Sequence, residues 1–90
     1  MSIMYKSPDR CFICGKFTAL EEHHVWHGTA NRRLADKDGL TVYLCPECHR
    51  ELHDKGKADR LLMALGEIYW LLRYDMTKED FIKRYGRSEL

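Results

Sequence analysis

No stretch of this chain approaches the roughly 20 apolar residues that a membrane-spanning helix needs, so a membrane protein is not expected. The segment Met1 to Arg10 carries Lys6 and Arg10 but no apolar core, so a secretory signal is not expected either. A large excess of charge of one sign is also missing. The formal net charge is +1, far from the basic balance of tight DNA binders. Internal repeats, low-complexity tracts and long linkers are absent. What remains is one domain of 90 residues, 44% hydrophobic and 32% charged, expected in the cytoplasm. A chain this short buries only roughly 60–65% of its unfolded surface, and its thin core calls for a staple.

The cysteines supply a candidate. Four of them form two Cys-x-x-Cys pairs, Cys11/Cys14 and Cys45/Cys48. With no secretory signal the thiols stay reduced. That weighs against paired disulfides, and iron–sulfur clusters more often show other spacings. Redox-active or merely buried pairs are the remaining alternative. Two knuckles, each offering two thiolates, complete the closed four-sulfur set of a structural zinc site. Gly15 after the second cysteine suits the tight turn of a knuckle.

The pattern along the chain predicts a small α+β domain. Leu20–Trp26 has strand composition and ends at Gly28. Residues 30–37 predict a short helix closed near Gly39, and Leu40–Leu44 a second strand. Pro46 fits the first turn of a helix running through His49 and His53. After an interruption at Gly56, Ala58–Tyr74 predicts the longest helix, with Leu61, Leu65, Ile68, Tyr69 and Leu72 as its apolar stripe. Thr77–Asp80 resembles a capping box opening a last helix that stops at Gly86. Residues 1–10 have no period and are expected to form a loosely held arm. Tyr69, Trp70 and Tyr74 are expected in the core, with Trp70 also a candidate for a homodimer interface.

The histidines carry the candidate chemistry. His23 and His24 are adjacent, and on a regular strand they point to opposite faces. His49 and His53 are four apart and share a helix face, and the knuckle cysteine Cys48 pins the start of that helix. A divalent cation on neutral imidazoles can neutralise a phosphate, and a free histidine beside it can deprotonate water. Histidine suits that task because its unperturbed pKa lies near neutrality. Arg32, Arg33 and Lys37 are candidate phosphate contacts, although a solvated helix face explains them equally well.

The ordered pattern of Cys-x-x-Cys, Glu21-Glu22-His23-His24-Val25 and Cys45-Pro46-Glu47-Cys48-His49-x-x-x-His53 resembles the HNH (ββα-metal, His-Me finger) endonucleases, and most of all the small zinc-knuckle forms of phages and prophages. The resemblance covers residues 11–53. It implies a zinc-knuckle ββα-metal core with a helical C-terminal extension over 57–86, and metal-dependent hydrolysis of DNA in a phage or bacterial host cytoplasm. Carried over residue by residue, it implies His23, His49 and His53 as ligands of a catalytic cation (Mg²⁺, Mn²⁺, Ni²⁺ or Zn²⁺). His24 becomes the general base and Glu21 a supporting acid. The family's middle asparagine, which orients the base, has no counterpart at its usual place, where this chain carries Leu40 beside Gly39. Asn31, the chain's one asparagine, is the candidate for that role. The contrasting expectation is a non-catalytic zinc module, binding nucleic acid or protein, that keeps only the scaffold.

Overall fold

The structure, a computed structural model, describes residues 2–4 and 9–90. Its elements run β1 (Glu21–His24), α1 (Thr29–Asp38), β2 (Thr41–Leu44), α2 (Pro46–Lys55), α3 (Asp59–Tyr74) and α4 (Lys78–Tyr85). The two strands form an antiparallel sheet in which Glu21 faces Leu44 and His24 faces Thr41. Among the described residues the class is α+β, with a two-stranded sheet and four helices. Among the described residues no helix is long and apolar enough to cross a membrane.

Local signals in the chain explain the boundaries. Gly39, Gly56 and Gly86 close α1, α2 and α4 in the left-handed conformation, each donating its amide back to the preceding turn. Pro46 occupies the first turn of α2, where a missing amide hydrogen costs nothing. The Thr77 side chain accepts the Asp80 amide while the Asp80 carboxylate accepts the Thr77 amide, so the capping box is complete with aspartate as its acid.

The core lies where the sheet, α1, α3 and α4 converge. Val25, Trp26, Leu40, Val42 and Leu44 are fully buried, and Trp26 and Trp70 both pack edge-on against Phe81. The Trp26 indole donates to the Met63 carbonyl at 2.8 Å, so its polar edge is satisfied. Gly66 lets α3 approach this layer, since a Cβ there would stand 2.7 Å from Val25 Cγ2.

Two expectations are corrected. The buried face of α3 is Leu62, Met63, Gly66, Glu67 and Trp70. Leu61, Ile68 and Leu72 of the expected stripe are exposed, at 70%, 41% and 78%. The start of the chain is also not wholly a loose arm. Met4 is buried, Ser2 Oγ donates to the Thr41 carbonyl at 2.6 Å, and the Ile3 amide donates to the Gly39 carbonyl. Residues 5–8 of that arm lie outside the described residues. Of the three aromatics expected in the core, Trp70 is buried and so is not available as a surface anchor, Tyr69 is partly buried against the core, and Tyr74 is exposed, its hydroxyl donating to the Asp38 carbonyl.

One buried carboxylate ties the helices together. Asp38, at the C-terminal end of α1, accepts the Trp70 indole at 2.9 Å, the Tyr85 hydroxyl at 2.8 Å and two nitrogens of Arg84 at 2.6 and 2.8 Å. An acid at a helix C-terminus is opposed by the helix dipole, and the two-pronged Arg84 contact offsets that. Asn31, earlier on α1, donates to the Tyr85 carbonyl at 3.2 Å. Both contacts fix α1 against α4.

Candidate metal centres and the histidine cleft

The first knuckle is a turn in which the Gly15 amide donates to the Cys11 carbonyl at 2.9 Å, with Gly15 at a positive φ of 76°. The second is the β2–α2 junction itself. Cys45 is the single residue between strand and helix, and its sulfur accepts the Cys48 amide at 3.4 Å. All four cysteines are free, and their sulfurs lie within 4.8 Å of one another. Cys14 and Cys45 sulfurs are 3.8 Å apart. A tetrahedral zinc with bonds of about 2.3 Å has sulfur–sulfur edges of about 3.8 Å. Burial raises the Cys11 thiol pKa, but the amides of Cys14, Cys45 and Ile13 outweigh it and bring the value down to about 6, toward the thiolate a metal needs, while burial and the neighbouring sulfurs push the Cys48 thiol up. The cluster is compatible with a structural zinc.

Its placement determines the second group. α2 starts inside the knuckle, and His49 and His53 extend along one face of that helix. His23 comes from β1, and its ring lies 5.2 Å from that of His49 and 5.4 Å from that of His53. One nitrogen from each of these three residues falls within 4.8 Å of the others, close enough to share a metal ion.

The chemistry of the donors fits a cation. His49 Nδ1 lies 2.8 Å from Glu21 Oε1. A carboxylate only accepts, so His49 donates there and keeps its Nε2 lone pair. That Nε2 is 3.1 Å from His53 Nε2. His23 is 3% exposed, and its Nε2 has no hydrogen-bond partner among the described residues. A buried nitrogen left unpaired is costly, and a cation on the His49/His53 side would relieve it. Burial, then the neighbouring imidazoles of His49, His53 and His27, push the His23 pKa down to about 4, so it is neutral at pH 7 with its lone pair available.

His24, next along β1, lines the same cleft, which encloses about 520 Å³ and is lined by all three of these histidines together with His24, His27 and Arg32. His23 reaches the α2 histidines and His24 reaches Asp36 on α1, and both line the one cleft. His24 Nε2 is 3.2 Å from Asp36 Oδ1 on α1. His27 pairs with Asp59 at 3.0 Å, bridging to the first residue of α3. Arg32, Arg33 and Lys37 border a second cleft of about 720 Å³ that shares His24 and Arg32 with the first.

Of the residues singled out from sequence, the structure brings together the four cysteines, and separately His23, His49, His53 and Glu21, with His24 alongside. It sends the Asn31 side chain to Tyr85. Asp36 was not among the sequence candidates. Nothing local marks it, because its contact with His24 spans twelve residues and two elements. Comparison with protein-family models, with curated proteins and with solved structures finds no match.

Proposed function

We propose that the chain is a metal-dependent endonuclease of the HNH (ββα-metal) kind, hydrolysing phosphodiester bonds of DNA. One observation carries this reading. His23, His49 and His53 converge on one point with a buried unpartnered nitrogen, and His24 stands free of that cluster in the same cleft. A purely structural zinc domain has no use for the second group. The order of strand, helix, strand and knuckle-started helix is consistent with a ββα-metal core.

A divalent cation held by His23, His49 and His53 would neutralise charge on the scissile phosphate and on the departing oxygen. His24 takes a proton from the attacking water. The water oxygen then bonds to phosphorus, and the bond to the leaving oxygen breaks with its electron pair going to that oxygen, which is reprotonated from solvent. Arg32 lines the cleft and supplies a cationic contact for the phosphate backbone, with Arg33 and Lys37 beyond it. Glu21 holds the His49 ring in its ligating tautomer.

The test is cleavage of supercoiled plasmid by zinc-loaded protein with added Mg²⁺, Mn²⁺ or Ni²⁺, beside His24→Ala. Metal-dependent nicking that disappears in the folded variant supports the reading. No nicking by folded wild-type protein would replace it with a non-catalytic zinc module for nucleic acid or protein.

A further inference from the structure

We infer that Asp36 is the positioning residue for His24, doing from α1 the job that no asparagine is placed to do. This rests on the nuclease reading and deepens it. Asp36 Oδ1 lies 3.2 Å from His24 Nε2. The carboxylate can only accept, so the contact fixes the ring with hydrogen on Nε2 and leaves Nδ1 as the bare proton acceptor. A general base needs both features, a defined ring orientation and one nitrogen free of hydrogen, and a carboxylate on the far nitrogen supplies them in other hydrolases.

The alternative partner is accounted for. Asn31 lies on the same helix, but its amide donates to the Tyr85 carbonyl. That bond, with the Asp38 contacts to Arg84 and Tyr85, anchors α1 at both ends against α4. Asp36 is thus carried on a clamped helix even though its own side chain is 70% exposed. Exposure also means that it contributes little to stability through this pair. The His24 side chain is 15% exposed and has few orientations open to it once Nε2 is engaged.

The experiment compares wild type, Asp36→Ala and Asp36→Asn, all zinc-loaded and shown to be folded by thermal melting. Asn keeps an oxygen acceptor for the Nε2 hydrogen and loses only the charge. Plasmid nicking with Mn²⁺ should show kcat reduced by about 10- to 100-fold in Asp36→Ala, within the range a general base contributes. KM should be unchanged, and activity partly restored in Asp36→Asn. Independently of activity, the ¹H–¹⁵N spectrum of the imidazoles should show a hydrogen-bonded Nε2–H on His24 in wild type, absent in Asp36→Ala. An active wild type with kcat unaltered in Asp36→Ala overturns this role and leaves the nuclease reading standing. A wild type that holds the Nε2–H signal but never cleaves overturns both.

Discussion

Glu21 Oε1 and His49 Nδ1 sit 2.8 Å apart, although the two residues are 28 positions apart in sequence. The contact crosses from the first residue of β1 to the first turn of α2 and orients an imidazole toward His23 and His53. The Glu21 carboxylate is half exposed, so its removal leaves the core intact. Glu21→Ala should weaken binding of Mn²⁺ or Ni²⁺ at the histidines by about 10- to 100-fold without releasing zinc from the cysteines. Calorimetric titration of the zinc-loaded protein measures it, and equal affinity in the variant would remove Glu21 from the site.

Zinc removal should unfold the domain. Cys45 is both a sulfur donor and the only residue between β2 and α2. Zinc contributes about 10–16 kcal/mol to small folds of this kind, comparable to the whole stability of a domain, about 5–15 kcal/mol. A strong chelator, or Cys45→Ser, should abolish the cooperative thermal transition and most helical circular dichroism. A helical signal that survives complete zinc loss would contradict the role.

Acid should destabilise the fold through His23. Its pKa is lowered from 6.5 to about 4 in the folded chain, burial being the largest cause. Between those values the unfolded chain binds the extra proton, so stability rises with pH in this window and is lost as pH falls through it, by about 3 kcal/mol in full. In protein carrying metal only at its cysteines, the stability difference between wild type and His23→Gln should shift against wild type as pH drops below 6.5. Denaturant titrations at several pH values read this out. A difference that stays constant with pH would rule it out.

Gly66 tests the packing of α3. Alanine is the better helix former by about 1 kcal/mol, but its Cβ would stand 2.7 Å from Val25 Cγ2 in the fully buried layer. Overpacking costs about 1–3 kcal/mol, so Gly66→Ala should be net destabilising. Adding Val25→Ala should recover part of the loss in a double-mutant cycle. Additive effects would show that the contact is relaxed by other means.

Several helix boundaries were legible because they carry a local chemical mark: Pro46, the Thr77–Asp80 box, and glycines at 39, 56 and 86. The cysteine pairs and the His49/His53 spacing were legible for the same reason. The orientation of α3 was not. Its leucines advertise one stripe, yet the helix buries a neighbouring face that includes Gly66 and the carboxylate of Glu67, which hydropathy does not favour. Glu67 is buried because the Ser88 hydroxyl and the Glu89 amide satisfy it, at 2.6 and 2.8 Å. Asp36 and Asp38 were illegible likewise, since their partners come from distant elements.

That correction has its own measurement. Leu72→Lys should change stability by no more than about 0.5 kcal/mol, whereas Leu62→Ala should cost about 2–4 kcal/mol. Thermal melts of the two variants separate the faces, and a large loss in Leu72→Lys would restore the expected stripe.

Helix α2 begins within a sulfur cluster and carries two imidazoles along the turns that follow. The two candidate ligand sets are therefore coupled by one rigid body. Whatever orders the first turn also reduces the entropy lost in gathering His49 and His53, so the clusters should show positive heterotropic cooperativity. By thermodynamic reciprocity, occupancy of the histidines would tighten the grip of the cysteines by the same factor.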